Sequence, residues 1–385
     1  MRVQMGLFQR NPEITLGQKV LQVNWGLVIL VSVLAAVGCA MLYSAANGSM
    51  QPWAERHAIR FAMGLAVMVA VAFIDVRFWF RWAWAIYAAT VLMLVAVAVM
   101  GTIGMGAQRW ISLGFMQLQP SEVMKVAIVL ALARYFHGLS EEEIARPLRL
   151  VPPVLVLVAP VALVMKQPDL GTAMMLVMVA GVMFFAAGVR MWKFAVAGAS
   201  VAAIVPVAWQ FLQGYQKQRI LTFMDPSSDP LGSGYHIMQS QIALGSGGTL
   251  GKGFLQGSQS HLNFLPEKQT DFIFTMLAEE FGLLGGLGLI GIYVLIMIYG
   301  FAIALRARNH FGRLLAMGLT ANLFLYVFIN IAMVMGLIPV VGVPLPLISY
   351  GGTAMLAVMV SLGFLMSVYI HRDIRIPRRG LDDAD

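Results

Sequence analysis

The segment FLPEKQTDFIFTMLAEE (264–280) sets Glu267, Lys268, Asp271, Glu279 and Glu280 just ahead of a long apolar run. A carboxylate there can take a proton from a reacting hydroxyl, or simply favour the positive end of a helix. With a helix starting at Asp271, Glu279 lies about 80° and Glu280 about 180° round the axis, so the three acids cannot form one cluster. QRWISLGFMQLQPSEVMK (108–125) adds Arg109, Glu122 and Lys125. The last two share a helix face at a spacing of three, as a structural ion pair or as ligands for a charged substrate. In KQPDLG (166–171), Asp169 stands just before a helix, where capping competes with any role in a site. The stretch 214–271 contributes further charges, among them Lys217, Arg219, Asp225, Asp229 and Lys252, most of which read as solvated.

Several other chemistries are excluded. GSGGTLGKG (245–253) looks phosphate-binding, but a P-loop needs Gly where Ser246 stands and Ser or Thr where Gly253 follows Lys252. Its glycines read as a flexible loop with positive-φ positions. The 6 histidines are scattered at 57, 137, 236, 261, 310 and 371, with no metal-ligand spacing. No Ser-His-Asp or Cys-His set assembles, so nucleophilic catalysis has no support.

The elements that position these residues follow from composition. Of the 385 residues, 59% are hydrophobic, with a mean hydropathy of +0.80, so lipid must be the solvent. An all-α integral membrane protein is expected. Ten spans fit, at 24–45, 59–75, 80–100, 119–137, 150–166, 170–188, 192–213, 272–303, 313–336 and 350–370. If the N-terminus is cytoplasmic, seventeen of the 26 Lys and Arg fall inside and nine fall outside or within the membrane. That bias favours ten spans with both termini cytoplasmic. It makes 1–23 a cytoplasmic segment, 24–371 the membrane domain and 372–385 a cytoplasmic tail. The long connection 214–271, between the seventh and eighth spans, then lies outside. The net charge of +8 comes from residues scattered singly or in pairs, which is not a nucleic-acid footprint. Cys39 stands alone, so no internal disulfide is possible. The N-terminus is too long and polar to read as a cleaved signal peptide.

Four motifs, in order along the chain, resemble the shape, elongation, division and sporulation (SEDS) family. They are QRWISLGFMQLQPSEVMK, QPDLGTAMM, the 214–282 stretch GYQKQRILTF…TDFIFTMLAEEFG, and NIAMVMGLIPVVGVPLPLISYGGTAML (330–356). GKGFLQGSQSHLNFLPE and the short cytoplasmic tails resemble elongation-type more than division-type members. One departure is Gln269, where His or Asn is more usual.

The resemblance implies a peptidoglycan glycosyltransferase that polymerises lipid II at the outer face of the bacterial inner membrane. It also implies a class B penicillin-binding protein as partner, with other elongation-complex membrane proteins and the nascent glycan. It makes Asp271 the essential acid. It carries the family's polar cavity residues over to Arg109, Glu122, Lys125 and Asp169. The need for positive charge at the pyrophosphate adds Arg219 and Lys268 to Arg109 and Lys125. Arg56, Trp110 and Glu267 complete the expected substrate-binding set. The chemistry suits that inventory. An α-linked donor and a β-1,4 product need one displacement, and pyrophosphate leaves without a general acid. One base and several cations, or a divalent ion such as Mg, are what the reaction requires. A lipid II flippase and a non-enzymatic scaffold are the rival readings.

Overall fold

In a computed structural model, the described residues are 16–104, 107–112, 114, 117–211, 214–225, 229, 232–261 and 267–377. Arg2, Arg10, Arg378 and Arg379, all counted as cytoplasmic above, lie outside these residues, as does the side chain of Arg219.

Each predicted span contains a helix. After the short α1 (Leu16–Leu21) come α2 (Trp25–Ala45), α3 (Ala54–Phe73), α4 (Val76–Met100) and α5 (Pro120–His137). The short α6 (Glu141–Ala145) leads to α7 (Val151–Lys166), α8 (Leu170–Ala186) and α9 (Met191–Phe211). Last come α13 (Ile273–Arg306), α14 (His310–Val334) and α15 (Gly352–Ile370). Among the described residues, 7 helices are long and apolar enough to cross a membrane, while α8 and the apolar part of α9 are shorter. In α14 and α15, 78% of the apolar window is buried, against 17% to 39% in the other five spans. The two form the centre of the bundle together with α5, which is buried along nearly its whole length, and those five spans turn much of their surface to lipid.

The all-α expectation needs one amendment. Arg109 and Trp110 lie on a small antiparallel sheet, β1 (Thr102–Gly104), β2 (Ala107–Ser112) and β3 (Gln117–Leu118). Short strands escape a search for apolar spans. The Thr353 hydroxyl anchors the sheet to α15, donating to the Gln117 carbonyl (2.9 Å) and accepting from the Gln119 N–H (3.3 Å). The described residues of the connection 214–271 carry three helices, α10 (Gly214–Met224), α11 (Ser233–Ser246) and α12 (Ser258–His261).

The 34-residue α13 would be ~51 Å long if straight, well beyond the ~30 Å hydrocarbon core. It is broken at Gly282 (φ 65°, ψ −164°). A break strands backbone groups, and the glycine-rich loop supplies their partners. The Lys252 and Gly253 N–H groups donate to the Glu279 and Glu280 carbonyls, each at 3.0 Å. In return the Leu283 and Leu284 N–H groups donate to the Gly248 and Thr249 carbonyls (2.9 and 3.2 Å). The loop needs its glycines for this approach. A Cβ on Gly247 would fall 2.1 Å from the Ala278 carbonyl oxygen, and one on Gly251 2.1 Å from that of Glu280. The positive-φ part of the sequence reading holds at Gly248, Gly251 and Gly253, but the loop is a docked plug rather than a free one.

Candidate active site

The turn 267–272 ahead of α13 carries Glu267, Lys268 and Asp271. It opens at Glu267 in the left-handed region (φ 51°), whose carbonyl accepts from the Thr270 and Phe272 N–H groups (3.0 and 3.4 Å). The Thr270 hydroxyl donates to the Glu267 carboxylate at 2.9 Å. Glu267 is exposed, Asp271 half-buried and Lys268 only 7% exposed. Burial lowers the pKa of Lys268, since it disfavours the ammonium. The helix itself begins at Ile273, with Phe272 as its N-cap and no side-chain cap bond. Asp271 therefore precedes the capping position by one residue.

Three consecutive carbonyls of this turn receive donors from elsewhere in the fold. The Tyr350 N–H donates to Gln269 O (2.8 Å), the Ser349 hydroxyl to Thr270 O (2.6 Å), and Asn330 Nδ2 to Asp271 O (2.9 Å). The Asp271 carboxylate borders the segment after α14, with Oδ2 3.4 Å from where a Cβ on Gly342 would stand. The adjacent Val341 packs on Gly171, whose added Cβ would meet the Val341 carbonyl oxygen at 2.6 Å. One dipeptide thus links the Asp271 turn to the start of α8.

At that start Asp169 caps α8, accepting from the Thr172 N–H (3.1 Å) and hydroxyl (2.9 Å). Arg109 reaches across from β2, donating through Nε to Gln167 O (3.0 Å) and also to Pro168 O, with Nη1 3.9 Å from the Asp169 carboxylate. Trp110, next on the strand, is half-buried.

Glu122 and Lys125 form a third group. Lys125 Nζ donates to Glu122 Oε1 (2.7 Å) and lies 4.1 Å from the centre of the Tyr326 ring, whose hydroxyl donates to Glu122 Oε2. With 4% and 1% of Glu122 and Lys125 exposed, the pair joins α5 to α14 inside the bundle. Its geometry is that of the structural ion pair the spacing allowed.

Glu279 and Glu280 go elsewhere. Glu279, fully buried, accepts from Lys252 Nζ (2.8 Å) and the Gln259 N–H (2.9 Å), while Glu280 accepts from the Ser44 hydroxyl of α2. Arg56 is exposed on α3. One turn further on, Arg60 lies over the Tyr350 ring at 4.6 Å and beside Gly352, nearer the Asp271 turn than sequence reasoning suggested. Asn330, Ser349 and Tyr350 were also missed as site residues, although all three lie within the quoted 330–356 motif. Among the described residues no group of three or more His, Cys, Asp or Glu could hold a metal ion.

A model of the cell cycle protein family FtsW/RodA/SpoVE matches residues 18–374. The peptidoglycan glycosyltransferase MrdB of Escherichia coli strain K12 is 46% identical over 349 residues, 90% of this chain and 93% of that protein. RodA of Treponema pallidum, also named a peptidoglycan glycosyltransferase, is 29% identical over 418 residues, 89% of this chain and 96% of its own. Among solved structures, a chain from a peptidoglycan synthase complex, described as coordinating polymerization and crosslinking, superposes with a TM-score of 0.81. It is 33% identical, covering 91% of this chain and 98% of that one. The rod shape determining protein RodA of Thermus thermophilus superposes with a TM-score of 0.70 at 29% identity, covering 91% and 98%. The matched family spans the four sequence motifs and the turn, sheet and helix start that they build, and the chain belongs to the FtsW/RodA/SpoVE family of cell cycle proteins.

Proposed function

We infer that this protein is a peptidoglycan glycosyltransferase that polymerises lipid II during cell elongation. The observation that carries the reading is Asp271, an acid one residue ahead of the capping position of α13, on a turn whose backbone is fixed by three donors. In the reaction an acceptor sugar hydroxyl attacks the anomeric carbon of the α-linked donor. The new C–O bond forms as the bond to pyrophosphate breaks, and the centre inverts to β. Asp271 takes the hydroxyl proton as the bond forms, worth typically ~10²–10⁴-fold. Lys268, Arg56, Arg60 and Arg219 supply positive charge to the pyrophosphate, with Trp110 and Glu267 against the sugars. Arg109 and Asp169 hold the rim between β2 and α8, and Glu122 with Lys125 fixes α5 beneath it. A divalent ion such as Mg, where the reaction uses one, would supply further positive charge to the leaving pyrophosphate.

Ten spans with both termini cytoplasmic put this site at the outer face of the bacterial inner membrane, with 214–271 external. A class B penicillin-binding protein docks as the crosslinking partner, with α13 and α14 as the helices nearest the Asp271 turn. The glycosyltransferase names of the relatives and the synthase-complex match support this reading over a flippase or a scaffold.

The test is purified protein with lipid II in detergent, which has no sides to flip between. Asp271→Asn should lower polymerisation on the order of 10²-fold or more while thermal stability changes little, because asparagine keeps the size of the side chain and accepts a backbone N–H about as well. Long glycan chains from that variant at the wild-type rate would end the proposal.

A further inference from the structure

We propose that Asn330 is a positioning residue that sets the place of Asp271 relative to the 341–343 segment beside its carboxylate. Asn330 sits near the end of α14, and none of it is exposed. Its amide donates one hydrogen to Asp271 O (2.9 Å) and the other to Val343 O (2.7 Å). Two carbonyl acceptors at one nitrogen leave no doubt about the amide's orientation, since the flipped form would face oxygen against oxygen. Val343 follows Gly342, the residue beside the Asp271 carboxylate. A single NH₂ group therefore spans the gap between the main chain of the base and the segment that walls its side chain.

That arrangement has a cost. Asn330 Oδ1 is buried with no hydrogen-bond partner. An apolar side chain at this place would avoid an orphaned acceptor. Packing alone does not account for an asparagine here, but a demand for two donors at one point does. The Ser349 hydroxyl acts in the same way on the preceding carbonyl. It donates to Thr270 O (2.6 Å) while accepting from the Leu345 N–H (2.8 Å), so it too ties the turn to the 338–351 segment. Neither residue needs to touch the substrate. Both act through Asp271, whose value as a base depends on lying within hydrogen-bond reach of the attacking hydroxyl. A shift of about 1 Å at such a group costs up to 10²-fold in rate.

Positioning presupposes Asp271 as the base, so Asp271→Asn is assayed in parallel with Asn330→Ala and Ser349→Ala. The full chain is purified in detergent, and kcat and KM for lipid II are measured separately. Each of the two positioning variants should lower kcat about tenfold and leave KM within about twofold, because the binding cations stay in place. Amide exchange across 269–273 should speed up in both, since carbonyls of the turn lose their ties. Asn330→Ala also empties a buried site, so Ser349→Ala, which removes one hydroxyl, carries the test should the first variant not fold. Wild-type kcat in a folded variant, or a loss confined to KM, overturns the positioning role. If Asp271→Asn is inactive in that same experiment, the base assignment survives on its own. An active Asp271→Asn enzyme overturns both.

Discussion

Gly251→Ala should open the break in α13 and slow catalysis from a distance. Gly251 has φ 82°, where any other L-residue costs about 1–2 kcal/mol. Its new methyl would lie 2.1 Å from the Glu280 carbonyl oxygen and 2.6 Å from the Gly282 nitrogen. Both are backbone atoms, so the plug itself must move. The adjacent bonds from Lys252 N and Gly253 N to the carbonyls of 279 and 280 are then lost, at about 0.5–1.5 kcal/mol each. Together the terms come to about 2–5 kcal/mol, all of it local to the break. Since ~1.4 kcal/mol is a factor of ten, hydrogen exchange at Leu283 and Leu284 should accelerate by roughly 30-fold to several thousandfold. Exchange is measured by mass spectrometry on protein in lipid nanodiscs, alongside polymerisation. Turnover should fall too, because the broken helix begins two residues after Asp271. Gly288→Ala serves as control, since nothing lies within 4 Å of its added Cβ and the helix there is regular. Unchanged exchange in Gly251→Ala would refute the plug.

Other expectations follow from the buried charges and the topology. Lys125→Met alone leaves Glu122 as a buried carboxylate with Tyr326 and should cost about 3–5 kcal/mol, whereas Glu122→Gln/Lys125→Met should melt close to wild type. A double variant as unstable as the single one would remove the structural pairing. Exchanging the two residues would be a poor test, because it sets a carboxylate against the Tyr326 π-face. Burial holds the Lys268 pKa below its ordinary 10.5, so kcat/KM should fall on the alkaline side below that value. The limb should move to higher pH in Lys268→Arg, because a guanidinium stays charged. Between the lowered pKa and 10.5 the unfolded chain binds the proton that the folded one has released, so this lysine makes stability rise with pH across that window. An alkaline limb that does not move would remove Lys268 from the charge site. Finally, cysteines at the exposed Glu142 and Gln256, in a Cys39→Ala background, should label from opposite sides of the membrane, with only the second reached from outside. Labelling of both from one side would break the ten-span topology.

What the sequence determined by itself was whatever depends on short-range pattern or on a sum over residues. Apolar length found a helix in each predicted span, because a segment in lipid must satisfy its own backbone. Angular spacing set Glu279 and Glu280 on different sides of the helix, and the structure gives their carboxylates different partners, Lys252 and Ser44. The capping role of Asp169 and the pairing of Glu122 with Lys125 were legible because each involves residues three apart in the chain. The rest needed the tertiary structure. GSGGTLGKG reads as a loose loop until the broken helix some thirty residues on is seen to need its N–H and C=O groups. Tyr326 completes the Glu122–Lys125 pair from 204 positions away, and Arg109 finds the α8 start from 58. Asn330 and Ser349 meet the Asp271 turn across 59 and 79 positions. No local periodicity encodes such pairings, because they arise only when separate helices pack and their stranded polar groups must find one another.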